Sequence, residues 1–377
     1  MSALDGLRVL DLSRLLPGAF CSLLLADFGA DVIKVEDTGA GDYLRASGAP
    51  FLALNRGKRS ISVDLKHPDG RDAFLRLVGD ADVLLESFRP GVMDRLGVGY
   101  ERLREENPRL VYCAITGYGQ DGPFAARAGH DTNYLARIGL LDLTGDPDGP
   151  PVQSGGQIAD LGGGALMAAF GILAALRERD RSGEGQLVDV SMTDGALAWL
   201  AMDAARHLAG GPPPSRGRAE LAGGLICYRP YRCADGWVAF GALEPKFWKA
   251  WCAGVGRDDL ADKQFEPVGS DTHREVEAVF ALRTRAEWEA FNDEHDCCLE
   301  PVLGLHEALE SELVRARGMV VEVEGARLLG TPVKLSRTPA EIRAAGPALG
   351  ADTDAVLGEA GYGPDEIAAL RAAGAVA

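Results

Sequence analysis

The sequence predicts an α/β protein with two domains, the larger of which contains a parallel, Rossmann-like sheet. The first third of the chain alternates short β-branched runs with helical patterns, which is typical of βαβ units. A Pro/Gly-rich break at 210–218 then precedes a region with hairpin and helix patterns. The 377 residues are enough for two domains and a sizeable hydrophobic core.

The first region predicts strands that are joined by crossover helices. Pro17 and Gly18 begin a helix that ends near Gly29, and Pro68 begins the helix after the third strand. An apolar run after Asp160 predicts a helix of about 18 residues before the last strand. The predicted strands are the runs at 8–13, 31–36, 60–65, 82–88, 110–119 and 186–192.

The second region predicts a smaller α+β domain, because a hairpin pattern around Asp235 and Gly236 is followed by helical patterns that carry three tryptophans. The tail returns to α/β character, with Asp352 as a helix cap and Pro364 in a first helical turn. We therefore expect a large domain over 1–190 and 330–377, a small domain over 225–320, and linkers over 191–224 and 321–329.

The chain is strongly acidic, with 39 Lys and Arg against 56 Asp and Glu and a net charge of −17. This charge opposes attraction to nucleic acid and to anionic lipid, so we expect neither as a partner. Seven cysteines without CxxC spacing indicate reduced thiols in a cytoplasmic protein. The apolar run at 15–26 follows Asp5 and Asp11, and we interpret it as a buried helix rather than an export signal or a membrane span.

The sequence lacks the motifs of several common classes of enzyme. Glu36 closes the second strand and could hold a ribose, but the loop after the first strand lacks GxGxxG and therefore offers no pyrophosphate cradle. No GxxxxGK[ST], HExxH or GxSxG occurs, so NTPase, zincin and serine-hydrolase activities have no support. Two histidines and two adjacent cysteines lie within 295–306, but a second ligand pair is absent, so we expect buried structural residues and no metal site.

Two basic clusters stand out against the acidic total. The cluster at 55–66 contains Arg56, Lys58, Arg59 and Lys66. Charge-assisted donors of this kind suit a phosphorylated nucleotide, although a solvated loop is an equal alternative on composition. The second cluster places Arg89 and Arg95 after the carboxyl end of a predicted strand, where open α/β sheets bind ligands.

Four side chains are candidates for proton transfer or its support. His130 and Asp131 lie where a helix begins; Asp131 has the alternative role of capping that helix, and a lone histidine is more often structural. Asp160 also precedes a predicted helix, where N-capping and catalysis are equal interpretations. Glu244 follows a strand and precedes a proline, a position where the helix dipole alone favours a carboxylate.

Together these segments resemble the family III CoA-transferase superfamily over nearly the whole chain. The motifs that carry the resemblance are the LxGLRVLDLS-type start, GADVIKVE, LNRGKRSISVDLK, DVLLESFRPGVMDRLG, TGYGQDGP, GHDTNY, the Asp-Leu-Gly-Gly-Gly turn and ALEPKFW. Within the superfamily, the pairing of GHDTNY with an EP-containing turn is most similar to the α-methylacyl-CoA racemase branch.

The resemblance implies a Rossmann-like large domain that the C-terminal tail completes, a smaller domain, and an interlocked homodimer. In such proteins the active site lies between the large domain of one subunit and the small domain of the other. The resemblance therefore implies that His130 and Asp160 meet the partner subunit's Glu244. It also implies that CoA lies on the large domain, with phosphate and adenosine contacts from Arg56, Lys58, Arg59, Arg89 and Arg95.

The racemase branch implies interconversion of (2R)- and (2S)-2-methylacyl-CoA thioesters in fatty acid metabolism, through an enolate. It makes His130, oriented by Glu244, the acid/base group on one face and Asp160 the group on the other, with N–H groups near Asp131 stabilising the enolate. The transferase branch makes Asp160 a nucleophile that forms an aspartyl-CoA thioester while CoA moves between an acyl-CoA and a carboxylic acid. Neither branch requires a cofactor or a metal. A non-catalytic CoA-ester binding protein is a third alternative.

Overall fold

A six-stranded parallel sheet organises the first of two units in this computed structural model, which describes residues 2–377. The strands of the chain are β1 Arg8–Asp11, β2 Asp31–Glu36, β3 Arg59–Ser62, β4 Val83–Glu86, β5 Val111–Thr116, β6 Leu187–Ser191, β7 Tyr228–Arg232, β8 Trp237–Gly241, β9 Leu299–Pro301, β10 Val320–Val323 and β11 Ala326–Leu329. The large sheet has the order β3-β2-β1-β4-β5-β6, which confirms the predicted α/β class. This order reverses between β1 and β4, so the loops after these two strands diverge and leave a crevice at the carboxyl edge.

Helices connect the strands and cover both faces of the sheet. They are α1 Leu15–Asp27, α2 Ala49–Leu54, α3 Pro68–Gly79, α4 Val92–Arg95, α5 Tyr100–Glu106, α6 Asp131–Arg137, α7 Leu140–Leu143, α8 Met167–Ser182, α9 Met192–Leu197, α10 Ala201–Leu208, α11 Pro245–Gly254, α12 Asp271–Phe280, α13 Arg285–His295, α14 Leu305–Leu309, α15 Glu312–Ala316, α16 Thr353–Glu359 and α17 Pro364–Ala372. A π-helix, Ile158–Leu166, continues directly into α8. β1, β4 and β5 end two or three residues earlier than predicted, because the following residues turn out of the sheet and line cavities at its edge.

Two apolar helices of the first unit pack into its core. α1 is mostly buried, which confirms the interpretation of 15–26 as a core helix. Ile158–Ser182 is the one helix within residues 2–377 that is long and apolar enough to cross a membrane, with a hydropathy of 1.7 over its most apolar window. Half of that window is buried inside the protein, and core helices meet the same criterion, so this stretch is weak evidence for a span.

A close approach of two glycines joins the π-helix to α9. A Cβ on Gly195 would lie 2.0 Å from the carbonyl oxygen of Gly163, and a Cβ on Gly163 would lie 2.5 Å from the carbonyl oxygen of Met192. Only residues without a Cβ permit this spacing. Residues 191–199 therefore pack within the first unit, although the sequence predicts that a linker begins there.

The tail also belongs to the first unit. Leu313–Ala377 is part of that unit, and the N–H of Ser60 in β3 donates to Asp352 Oδ2 at 2.8 Å. β10 and β11 form an antiparallel hairpin over the stretch that the sequence predicts as a second linker. The tail thus borders β3 at the edge of the sheet, and the unit starts earlier in the tail than the expected boundary at 330.

The second unit, Gly139–Gly155 and Leu200–Glu312, contains an antiparallel sheet of order β7-β8-β9. β7 and β8 form the predicted hairpin. The core of the second unit is rich in aromatic side chains, and its three fully buried tryptophans are Trp248, Trp251 and Trp288. The side chain of Arg216 donates to the carbonyl oxygen of Asp142 at 2.7 Å, which attaches residues 139–155 to this unit rather than to the large domain in which we expect them.

Two buried ion pairs fix the loop after β1. Lys58 Nζ lies 3.1 Å from Asp11 Oδ2 and Lys34 Nζ lies 2.9 Å from Asp42 Oδ2, and all four side chains are fully buried. Lys34 also donates to the carbonyl oxygen of Ser13 at 3.0 Å. Burial alone raises a carboxyl pKa, but the two ammonium groups hold the pKa of Asp11 well below its usual range. These contacts fix the loop at the carboxyl edge of the sheet.

Substitution of Lys58 tests this account. Lys58→Met leaves Asp11 buried beside one fewer cation, so we expect it to lower the free energy of unfolding by about 3–5 kcal/mol in urea denaturation. The double variant Asp11→Asn/Lys58→Met should lose less, because neither side chain then carries a charge. Lys66→Met alters an exposed lysine of the same segment and should change stability by about 0.5 kcal/mol or less. Equal stabilities of Lys58→Met and Lys66→Met would contradict the structural role.

Candidate active site

A cavity of about 510 Å³, which we call the cleft, lies at the carboxyl edge of the large sheet. It is formed by residues after β1, β4 and β5, beside the reversal in strand order where open α/β sheets bind ligands. Both proton-transfer candidates of the first unit line it. The side chains discussed below that line the cleft are Arg14, Tyr43, Ser87, Phe88, Arg89, His130, Asn133, Tyr134 and Asp160.

His130 is exposed in the cleft and directly precedes α6. Its backbone N–H donates to Asn133 Oδ1 at 3.0 Å, and its carbonyl oxygen accepts the N–H of Asn133 at 2.8 Å. The Tyr134 hydroxyl donates to the carbonyl oxygen of Gly129 at 2.6 Å. The imidazole is therefore carried on an anchored turn while its ring stays accessible to a ligand.

Asp160 is half-buried in the first turn of the π-helix, and Asp131 holds its backbone. Asp131 is 3% exposed, and its Oδ1 accepts the N–H groups of Ala159 at 2.7 Å and of Asp160 at 3.0 Å. Burial and then the charge of Asp131 raise the pKa of Asp160 to about 6, while His130 opposes the rise. Both protonation states of the Asp160 carboxyl group are therefore populated near neutral pH. π-Helical turns of this kind are frequent at functional sites.

Asp131 is the first residue of α6, and the hydrogen bonds of its carboxylate go to the π-helix, where the sequence left a capping role in its own helix as the alternative. Its carboxylate joins the start of α6 to the start of the π-helix, and so it ties the turn of His130 to that of Asp160. The N–H groups of His130 and Asn133 are already used within the turn. Within residues 2–377, the N–H groups of Asp131 and Thr132 have no such partner, so they remain able to donate to a ligand.

Glu244 lies in the second unit and directly precedes α11. Its carbonyl oxygen accepts the N–H of Phe247 at 3.0 Å, while its side chain is exposed. Burial and then the charge of Glu244 raise the pKa of the Cys298 thiol, so the carboxylate lies near the end of β8 and the start of β9. The meeting of His130 with the partner subunit's Glu244 stays a prediction.

Arg56 and Lys58 are engaged inside the first unit. Arg56 is 3% exposed, and its Nη2 lies 2.7 Å from Asp27 Oδ2. Lys58 Nζ donates to Asp11, to Asn55 Oδ1 and to a main-chain carbonyl at 2.8–3.1 Å, which uses all three of its hydrogens. Both have structural roles, and this conformation does not support their predicted contacts with CoA.

The remaining predicted CoA contacts lie in three different settings. Arg59 is half-buried and pairs with Asp31 at 2.6 Å and with Glu359 at 2.7 Å. Arg95 is exposed at the end of α4. Arg89 is exposed and lines the cleft, so it alone among the five predicted arginines and lysines faces the same cavity as His130 and Asp160.

A second cavity of about 550 Å³ adjoins the cleft, since Arg14 and Phe88 line both. Lys66, which belongs to the basic cluster but was not among the predicted contacts, lines this second cavity with Asp37. Our sequence reasoning missed Arg14 as a site residue. The rule that selected Arg89, a basic residue just past the carboxyl end of a parallel strand, applies equally to Arg14 after β1.

The cysteine and histidine segment offers no cation site in the structure. Within residues 2–377, no group of three or more His, Cys, Asp or Glu side chains is arranged to hold a metal ion. Cys297 is a buried free thiol, and Cys298 is a half-buried one.

The raised pKa of Asp160 predicts a pH-dependent cost to stability. The folded state binds the Asp160 proton more tightly than the unfolded state, so this contribution to stability is lost as the pH rises from about 4 to about 6. Asp160→Asn removes the titration, so relative to wild type the variant should gain about 1–2 kcal/mol between pH 4 and pH 7, allowing for partial solvent screening. Urea denaturation at several pH values measures the difference. Asp148→Asn, a change at an exposed carboxylate, should show no such trend, and parallel curves for Asp160→Asn and wild type would contradict the raised pKa.

Known proteins are similar to this chain over almost its full length. Residues 4–353 match the family model of CoA-transferase family III. The chain is 40% identical over 375 residues to the alpha-methylacyl-CoA racemase of Mus musculus, covering 98% of this chain and 96% of that protein. It is 35% identical over 393 residues to the succinyl-CoA:mesaconate CoA-transferase of Haloarcula hispanica, covering 96% and 98%. A CAIB/BAIF family protein from Brucella suis matches with a TM-score of 0.84 and 32% identity over 95% of this chain and 99% of that one. With a parallel sheet, a cleft at its carboxyl edge and these similarities, the chain belongs to CoA-transferase family III.

Proposed function

We propose that the protein is an acyl-CoA racemase or epimerase that interconverts (2R)- and (2S)-2-methylacyl-CoA thioesters. The observation that carries this proposal is the pairing of His130 and Asp160 in one cleft, with the pKa of Asp160 raised to about 6. Inversion at an α-carbon needs one group that removes a proton and another that returns one. Histidine ordinarily exchanges protons near neutral pH, and the raised pKa brings the carboxyl group toward the same range.

The two side chains divide the reaction between two faces of the substrate. With His130 neutral and Asp160 protonated, the imidazole takes the α-proton of one epimer and Asp160 returns a proton to the other face. The proton-swapped pair handles the reverse reaction. Each turnover in one direction leaves the pair ready for the other, so no cofactor is consumed.

The enolate oxygen needs hydrogen-bond donors that are already in place. The N–H groups of Asp131 and Thr132 lie next to His130 at the start of α6, and Asp131 fixes this turn through its contacts with the π-helix. Donors held in this way stabilise a developing oxyanion without reorganising during the reaction. Asp131 thus acts as a positioning residue for both sides of the site.

The two adjoining cavities suit the two ends of an acyl-CoA. The thioester lies in the cleft beside His130 and Asp160, and the nucleotide lies in the second cavity beside Lys66. Arg89 supplies a further cation at the wall of the cleft. We keep the prediction of an interlocked homodimer, in which the partner subunit's Glu244 orients the His130 imidazole.

A CoA-transferase is the second candidate, because relatives with that activity are similar over nearly the same length and Asp160 is accessible in the cleft. A carboxylate with a pKa of about 6 is mostly ionised at pH 7 and could attack a thioester carbonyl. The reaction would then pass through a mixed anhydride and an aspartyl-CoA thioester at Asp160, and His130 would need a different role.

Deuterium exchange separates the candidates. Purified protein is incubated with (2R)-2-methylacyl-CoA in D2O without an acceptor acid, and α-deuterium and chirality are followed. We expect deuterium gain with formation of the 2S epimer. His130→Ala should lower epimerisation by about 10²–10⁴-fold, because one face loses its proton carrier. In the same variant, slow exchange of the α-proton for deuterium should remain in the epimer whose α-proton faces Asp160.

The control and the opposing result are equally specific. His207→Ala changes an exposed histidine of the second unit and should leave the rate unchanged. Absence of exchange together with CoA transfer to an added carboxylate, through a hydroxylamine-sensitive adduct at Asp160, would replace the racemase proposal by the transferase. Tight CoA binding without either activity would indicate a non-catalytic binding protein.

Glu244 is tested separately. Glu244→Gln keeps the size of the side chain but removes its charge, so we expect kcat for epimerisation to fall about tenfold or more while KM changes little. Its pH–rate profile should also shift, because the imidazole loses its charged partner. Glu300→Gln, which alters another carboxylate of the second unit, is the matched control. Unchanged turnover and an unchanged profile in Glu244→Gln would remove Glu244 from the site.

A further inference from the structure

Arg14 lies between the two cavities, and its side chain contacts two neighbouring loops at the edge of the sheet. Its Nη2 lies 2.7 Å from Asp37 Oδ2, and its Nη1 donates to the Tyr43 hydroxyl at 3.1 Å. Its guanidinium carbon lies 5.1 Å from the centre of the Tyr43 ring and 5.4 Å from that of Phe88. The residue follows β1, while its contacts follow β2 and β4, so its side chain spans the junction of the cavities.

The backbone of this loop is firmly held. The N–H of Arg14 donates to Ser87 Oγ at 3.0 Å, and the N–H of Leu15 donates to Asp42 Oδ1 at 2.9 Å. Leu15 has a φ of 62°, a left-handed conformation that is costly for a leucine and persists only where its surroundings enforce it. The main chain at Arg14 is therefore fixed by these contacts, independently of the ion pair between its side chain and Asp37.

Asp37 is held independently of Arg14. Its Oδ1 accepts the N–H groups of Gly39 at 2.9 Å and of Gly41 at 3.2 Å, which leaves Oδ2 directed to the guanidinium. The ion pair is only partly buried, with 28% of the Arg14 side chain and 43% of the Asp37 side chain exposed. A ligand anion that reaches Arg14 meets a carboxylate that is already in place, so the two anions compete for one cation.

The order of groups in an acyl-CoA identifies that anion. If the thioester lies beside His130 and Asp160 and the nucleotide lies beside Lys66, the junction between the cavities faces the segment that joins pantetheine to adenosine. The charged group in that segment is the diphosphate. Arginine suits it, because its planar donors match phosphate oxygens.

We propose that Arg14 binds the diphosphate of CoA and that Asp37 is a built-in competitor that limits the affinity for CoA. This inference rests on the proposed use of acyl-CoA, but not on which reaction follows. Its consequence is that removal of the Asp37 charge strengthens binding, an unusual outcome for a change in a ligand site, and that the gain depends on Arg14.

Calorimetric titration of the full-length protein with CoA tests the pair as a double-mutant cycle. Asp37→Asn should lower Kd about two- to fivefold, the range expected for a partly exposed ion pair. Arg14→Met should raise Kd about tenfold or more, because a charge-assisted contact is lost. In Arg14→Met, the added Asp37→Asn change should bring no gain. Asp64→Asn, at another carboxylate that lines the second cavity, should tighten binding less than Asp37→Asn does.

Ligand fragments locate the contact. Dephospho-CoA keeps the diphosphate and should show the same gain with Asp37→Asn, whereas pantetheine has no phosphate and should show none. In the exchange assay, Asp37→Asn should lower KM and leave kcat unchanged, a division that a general loss of stability does not produce. Equal CoA affinities of Asp37→Asn and wild type, a gain that persists without Arg14, or an equal gain with pantetheine would each overturn the inference.

The result is distinguishable from failure of the proposed reaction. A protein that binds CoA more tightly as Asp37→Asn but exchanges no α-proton supports the diphosphate contact and contradicts the racemase. A protein that exchanges the α-proton but shows no Arg14-dependent gain contradicts the contact and supports the racemase. Wild-type protein that binds no CoA overturns both.

Discussion

The buried charges beneath the β1 loop determine how this site is built. Asp11, Lys58, Lys34 and Asp42 are fully buried, and together they receive or supply contacts to the main chain on both sides of Arg14. Buried charges are costly unless each is paired and hydrogen-bonded. A loop that satisfies them is therefore restricted to few conformations, and here that loop borders both cavities. Compared with an apolar core, the network of buried charges therefore lowers the free energy of unfolding, but it fixes the conformation of the loop that borders both cavities.

The buried carboxylate of Asp131 has two effects on Asp160. One buried carboxylate accepts the first N–H groups of the π-helix and also raises the pKa of Asp160. The same carboxylate thus positions Asp160, the proposed acid/base group, and adjusts its proton affinity. The glycines of the π-helix allow this start of the helix to pack closely on α9, where any Cβ on Gly163 or Gly195 would collide with main chain. Packing of the π-helix on α9 therefore helps to set the position of Asp160.

The sequence predicts the sheet well because parallel strands leave a strong pattern of short buried runs between helices, and each of the six predicted strands is present. The prediction of the proton-transfer pair in one cleft also agrees with the lining of that cleft. The basic cluster at 55–66 is different, because charge alone does not reveal partners. Lys58 pairs with Asp11 and Arg56 pairs with Asp27. Both aspartates are distant in sequence from the basic cluster, and no local motif marks them as its partners.

Domain boundaries are hardest to predict where the local composition indicates one domain and the packing of the segment assigns it to the other. The segment at 139–155 follows the large domain without a break in composition, yet the hydrogen bond of Arg216 attaches it to the second unit. Conversely, 191–199 precedes a Pro/Gly-rich stretch, yet the approach of Gly195 to Gly163 keeps it in the first unit. Linker prediction rests on local composition, whereas both assignments depend on contacts between segments that are far apart in the chain.

The proposed function requires the acidic chain to hold a polyanionic ligand without disabling a carboxyl acid/base group a short distance away. An arginine in contact with Asp160 would favour the carboxylate, lower its pKa, and leave it unable to return a proton near neutral pH. Instead, after burial, the charges that govern this pKa are those of Asp131 and His130. The cation at the junction of the cavities, Arg14, has its own carboxylate partner in Asp37. In the proposed function, anion binding and proton transfer thereby occupy separate parts of one groove, so each can be adjusted by its own neighbouring carboxylate.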